Sequence, residues 1–234
     1  MYAIFRRELK AYFYSPIAYI LIGLFIFISA IFFLQNLFGQ IGDFNGNLST
    51  MSFLFIFIIP ILTMRTFAED RKNGTEVLLI TSPANLTSIV TGKFLAAFCV
   101  LLVITLISFI FPVILFSFGA KLTAQLVGGY VGFILLGGAC ISVGVFASSL
   151  TENQIIAAII SFVCLLTMWV VNAVAQFAGG TLSTVLDWFS ITSRYDEFAR
   201  GILDLSPVVY YLSFTAVFLF LTVRTIEKRR WSQG

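Results

Sequence analysis

The residues able to do chemistry in this chain are gathered between two apolar runs. Positions 65–83 read Arg65-Thr-Phe-Ala-Glu-Asp-Arg-Lys-Asn-Gly-Thr-Glu-Val-Leu-Leu-Ile-Thr-Ser-Pro83, and the polar stretch closes on Gly92-Lys93. A Gly-Lys pair raises the question of phosphate binding. However, Thr87 stands where the first glycine of a P-loop belongs, and Phe94 stands where a Ser or Thr would hold magnesium. Nucleotide binding of that kind is excluded. Hydrolytic chemistry is equally short of parts: there is no His-Glu-x-x-His, no nucleophile elbow and no carboxylate pair inside the apolar runs. The chain has no His, and Cys99, Cys140 and Cys164 lie within apolar runs at separations that match no metal or redox motif. The expectation is a chain with no catalytic residue, no metal site and no cofactor of its own.

What positions these residues is a membrane. The composition is 59% hydrophobic and 11% charged, with a mean hydropathy of +1.02. A soluble domain is about half apolar and about one quarter charged, so lipid is the solvent here. Uncharged apolar runs fall at about 17–38, 48–64, 94–118, 125–149, 154–176 and 207–223. A spanning helix needs about 20 such residues. The reading is an all-α integral membrane protein with six transmembrane helices in a single domain, 1–234. The run at 17–38 is longer than the apolar part of a signal peptide and no small-residue cleavage site follows it, so it reads as an uncleaved first span.

Orientation follows from the basic residues. With alternating spans, Arg6, Arg7, Lys10, Arg65, Arg71, Lys72, Lys93, Arg224, Lys228, Arg229 and Arg230 share one side, against Lys121, Arg194 and Arg200 on the other. The positive-inside rule therefore places both termini in the cytoplasm. Ahead of the first span, Phe5, Leu9, Tyr12 and Phe13 share one helical face, with Arg6, Arg7 and Lys10 toward the other. Residues 3–14 read as an N-terminal amphipathic helix in the headgroup layer, or else as a simple basic anchor.

Within the cytoplasmic segment 65–93, Asn73-Gly74 signals a turn, Thr75-Glu76-Val77-Leu78-Leu79 starts a short helix with an acidic first turn, and Pro83 stops it. Such a helix suits a groove on another protein, although an ordinary solvated loop would look the same. The turn Ser149-Leu150-Thr151-Glu152-Asn153 lies on the same side.

These residues carry a resemblance. An Arg/Glu/Asp cluster, then Gly-Thr-Glu-x-Leu-Leu, Pro83 and Gly92-Lys93 ahead of the third span is similar to the permease subunits of type-2 ABC transporters. So are Arg6-Arg-Glu-Leu-Lys-Ala-Tyr-Phe13, Ser15-Pro-Ile-Ala-Tyr19, the Ser-Leu-Thr-Glu-Asn turn, Phe198-Ala-Arg-Gly-Ile-Leu-Asp204 and the basic tail Glu227-Lys-Arg-Arg-Trp231. The likeness covers essentially the whole chain, most closely the gliding-motility and copper-site-maturation branch. It implies a type-2 exporter-like subunit in the cell membrane, working with a second permease and two separate ATPase subunits that carry the ATP and magnesium. It further implies that Glu69, Asp70, Arg71, Gly74, Thr75, Glu76, Leu78 and Leu79 transmit ATPase closure, with Thr151, Glu152 and Asn153 as a lesser contact. The second and fifth spans would face each other across the dimer, with Phe53, Phe57, Trp169 and Asn172 along a substrate path. Lipid-facing or core packing is the alternative for those aromatic residues.

Two features remain. Gly128, Gly132, Gly138, Ser142, Gly144 and Ser148 give the fourth run small-residue spacings suited to close packing, within the subunit or at a dimer seam. In the outer segment 177–206, Tyr195, Phe198, Ile202, Leu203 and Leu205 repeat at helical spacing, opposite Asp196, Glu197, Arg200 and Asp204. A re-entrant or amphipathic helix is expected there, as a gate or a lid. The functional reading is an ABC permease, not an enzyme and not a nucleic-acid binder. The alternative is a stand-alone channel or assembly scaffold.

Overall fold

Ser15 and Pro16 set the first corner. The residue before a proline is pushed into extended backbone, and Ser15 sits at φ −90°, ψ 141°. It ends helix α1 (Tyr2–Tyr14) and caps α2 (Pro16–Phe38), accepting the amide of Ile17 at 3.4 Å, with proline at the first helical position. The computed structural model describes residues 1–39, 44–76, 85–119, 124–177, 190–201 and 204–232, with the side chains of 176–177 and 230–232 excepted. Among these the chain continues through α3 (Asn45–Ser52), α4 (Phe55–Thr63), α5 (Ala68–Lys72), α6 (Leu86–Ser108), α7 (Ile110–Ser117), α8 (Ala124–Leu150), α9 (Gln154–Phe177), α10 (Ser193–Ala199) and α11 (Leu205–Ser232).

Among the described residues five helices are long and apolar enough to cross a membrane, or six where a bent pair counts as one span. That pair is the second run of the sequence. It is not one straight helix: Asn45–Ser52 and Phe55–Lys72 meet at 50°. Tightened i→i+3 bonds from Phe53, Leu54, Ile56 and Phe57 mark the bend. Pro60, whose ring crowds the carbonyl of Ile56, lies just beyond it. The third span also differs from expectation. It starts at Leu86, inside the segment read as a cytoplasmic loop, and breaks at Phe109. Pro112 cannot donate to the Ser108 carbonyl, which instead accepts the Tyr130 hydroxyl at 3.2 Å.

At the centre stands α8. It packs on α3, α4, α6, α9, α10 and α11, and 78% of its apolar window is buried, against 17% for α9 and for α11. Its glycines admit neighbours inside the subunit. A Cβ on Gly132 would lie 2.8 Å from Phe198 and one on Gly137 2.5 Å from Leu101, and Gly129 and Gly144 abut Asn45 and Thr63. The small-residue stripe is therefore an internal seam.

The N-terminal helix has the expected two faces, but its apolar one is covered by protein. α1 packs on α6 at Gly92, where an added Cβ would stand 3.4 Å from Ile4 and from the backbone at Met1 and Phe5, and Tyr12 donates to the Leu62 carbonyl at 3.1 Å. Tyr2, Arg6, Lys10 and Tyr14 remain exposed. On the opposite end of the bundle, α10 buries Tyr195 and Phe198, and Asn45 Nδ2 donates to the Ala199 carbonyl. Ile202 and Leu203 lie outside the described residues, and Leu205 is exposed at the start of α11 rather than on a buried face.

Candidate functional site

The charged segment after the second span is a helix with two ends. Residues 64–67 form a turn that separates α4 from α5 and strips several backbone groups of helical partners. Side chains from two other spans supply them. Ser148 Oγ, at the end of α8, accepts the amides of Phe67 and Ala68 at 3.0 and 3.1 Å and donates to the Met64 carbonyl at 3.0 Å. Lys93 Nζ, from α6, donates to the Thr66 carbonyl at 2.6 Å. At the other end, Gly74 adopts φ +72°, with Thr75 N bonded to Asp70 O at 2.8 Å and Gly74 N to Arg71 O at 3.1 Å. This is a Schellman cap, and its left-handed position is why a glycine stands there. The turn read at Asn73-Gly74 is present, and Glu76 is again helical. Leu78 and Leu79 lie outside the described residues.

Two charge clusters flank α5. In one, Lys93 is 1% exposed and bonds Asp70 Oδ2 at 2.6 Å and Glu8 Oε1 at 3.0 Å, with the Phe67 ring 5.1 Å from its Nζ. Arg7 reaches Glu8 at 2.7 Å, and Thr75 Oγ1 donates to Asp70 Oδ1 at 3.0 Å. Arg65 pairs with Glu69 at 3.0 Å and donates to Ser15 Oγ at 3.0 Å. An open cavity of about 330 Å³ lies over this cluster, lined by Arg7, Glu8, Tyr12, Arg65, Asp70 and Lys93 among others. Burial pushes the Tyr12 hydroxyl up to about 12, so it stays a neutral donor beside these carboxylates.

In the second cluster Arg71 bridges Glu152 at 2.7 Å and Glu76 at 3.7 Å. Arg229, near the end of α11, reaches Glu76 at 3.5 Å and the Ser149 carbonyl at 2.5 Å. Thr151 Oγ1 accepts the Asn153 amide at 3.2 Å, and Asn153 Oδ1 accepts the Ile155 amide at 2.9 Å, capping α9. The charged segment, the 151–153 turn and the last helix thus meet at one end of the bundle. Glu8, Lys93, Ser148 and Arg229 complete the site; the sequence names them only within longer motifs and assigns none of them an individual coupling role. The available signal is Lys93, a lysine set directly against an apolar run with no acidic neighbour in sequence.

Three of the four residues expected along a path, Phe53, Phe57 and Trp169, pack into one aromatic cluster. Phe53 meets Trp169 at 5.8 Å and Phe57 at 6.0 Å, and Phe57 meets Phe162 at 5.5 Å between ring centroids. These contacts join α4 and the bend before it to α9 within one subunit. Asn172 is half-buried on α9, with no hydrogen-bond partner among the described residues. Beside this cluster Phe53, Phe57, Ile61, Ile159 and Val163 are exposed, so the paired helices present a common apolar surface.

Bundled apolar helices with a charged, tightly bonded end and lipid-length exposed faces define a polytopic membrane protein. Residues 38–224 match the family model described as ABC-2 family transporter protein, and the chain belongs to that family. It is a membrane permease component of an ABC transporter. Comparison with curated proteins gives no match.

Proposed function

We propose that the chain is the transmembrane subunit that couples ATP hydrolysis on separate ATPase subunits to export of a substrate across the cytoplasmic membrane. It has no part in the hydrolysis itself: ATP and magnesium belong to the partner. Two ATPase subunits and a second permease, identical or different, complete the transporter, and both termini lie in the cytoplasm of a bacterial cell. The quoted motifs favour the gliding-motility and copper-site-maturation branch. In that setting the load is a small molecule, a lipid, a polymer or another protein that is pulled.

The observation that carries this reading is the convergence at one end of the bundle. The 65–76 segment, the 151–153 turn and the end of α11 are linked by Arg71–Glu152 at 2.7 Å and Arg229–Glu76 at 3.5 Å. A docking partner there would push on all three at once. Arg71, Glu76 and Glu152 in this reading stiffen the platform, while Leu78 and Leu79 supply the apolar anchor. The exposed face of α4 and α9 would border the path, with Asn172 its polar marker.

The experiment is purification from native membranes with mass spectrometry of what accompanies the chain. An ATPase in stoichiometric amount supports the reading. A chain that purifies alone or with non-ATPase partners, from mild detergent or polymer discs, favours a channel or scaffold instead.

A further inference from the structure

The ammonium of Lys93 has three donors, and its bonds run to three different elements. Glu8 Oε1 of α1 lies at 3.0 Å, the Thr66 carbonyl of the α4–α5 turn at 2.6 Å, and Asp70 Oδ2 of α5 at 2.6 Å. Lys93 itself is fixed in α6 and is 1% exposed. Neither carboxylate can move away without leaving a buried charge short of its partner, which a low-dielectric site penalises heavily. Tyr12 already ties α1 to α4 through the Leu62 carbonyl. Lys93 ties both of them to α5 from a buried position; Arg7 of α1 also reaches Asp70, but at 3.7 Å and from a half-exposed side chain. Ser148 holds the same turn from α8, but through neutral bonds to its backbone alone.

We propose that Lys93 is a positioning residue of the transport cycle, welding α1, α5 and the base of α6 into one rigid body. Force applied to the segment beyond Gly74 then enters the bundle through the first and third spans together, as well as through the second. This rests on the coupling reading above for its source of force. The rigid body itself does not depend on that source.

The test places spin labels at Lys10→Cys and Asn73→Cys, both exposed positions on α1 and just past α5, in a chain whose native cysteines are replaced. Pulsed electron-paramagnetic-resonance distances are read in nanodiscs. The background chain should give one narrow distance. Lys93→Met should broaden it, and Lys93→Arg, which can still bridge both carboxylates, should restore it. Asp70→Asn keeps the side-chain shape and leaves Lys93 paired with Glu8, so it tests the same link should Lys93→Met fail to insert; it too should broaden the distance. In the complex with its ATPase, vanadate trapping should leave the background distance unchanged and shift it in Lys93→Met. The proposal is overturned by a distance as narrow in folded Lys93→Met or Asp70→Asn as in the background, or by a background distance that shifts on trapping. If no ATPase accompanies the chain, the coupling reading falls while the first measurement still decides the weld.

Discussion

Ser148 shows what a single hydroxyl can settle in a bilayer. Its Oγ, on a side chain of 0% exposure, satisfies the amides of Phe67 and Ala68, both buried, and the Met64 carbonyl at the α4–α5 turn. Removing it strands all three. Ser148→Ala should cost about 1–3 kcal/mol, the penalty of leaving buried polar groups unpaired. A lowered thermal midpoint in detergent, with the helix content unchanged, is the expected reading. Glycine supplies a matched pair. Gly144 abuts Thr63, whereas an added methyl at Gly23 meets nothing within 4 Å. Gly144→Ala should destabilise by about 1–3 kcal/mol through overpacking. Gly23→Ala should be neutral or gain about 0.5–1 kcal/mol from the better helix residue. Equal effects at the two sites would contradict the internal seam.

At the scale of elements, the spans were legible and the corners were not. Length and apolarity define α2, α8, α9 and α11 because lipid forbids unpaired backbone, a constraint every stretch of the sequence obeys by itself. Ser15-Pro16 and Asn73-Gly74 were equally readable, since a proline and a left-handed glycine act locally. The turn at 64–67 carries no such residue. It is made by Ser148 and Lys93, from helices far along the chain, so no window of sequence around it announces the break. The break at Phe109 differs: Pro112 is a local signal for it, and only the capture of the freed Ser108 carbonyl by Tyr130 is non-local. Among the candidate coupling residues, Glu76 is bridged within the subunit by Arg71 and Arg229, the latter from a helix far along the chain. Glu76→Ala and Arg229→Ala should therefore act alike, loosening the end of α11. Faster hydrogen exchange there in both variants, with Glu152→Ala milder because its ion pair is with Arg71 rather than with α11, is the expected pattern.

For the whole molecule, sidedness and energy supply are the claims at stake. The basic end of the bundle contains α1, the α5 segment, the α8–α9 turn and the close of α11. Cysteines placed at Asn73 and Asp204, both exposed, should label from opposite sides with an impermeant thiol reagent. Labelling of both from outside contradicts the topology. The most direct measurement concerns the seating of an ATPase. A buried apolar anchor at an interface is commonly worth more than about 1–2 kcal/mol, whereas rim charges act chiefly on encounter rate. The purified chain alone should show no ATP turnover. The chain with its ATPase, in nanodiscs, should hydrolyse ATP at a rate that Leu78→Asp abolishes or frees from control, with the ATPase lost or weakened in co-purification and with expression and monodispersity matching the parent. Unchanged assembly and unchanged turnover in Leu78→Asp would mean that the segment beyond Gly74 only connects two spans.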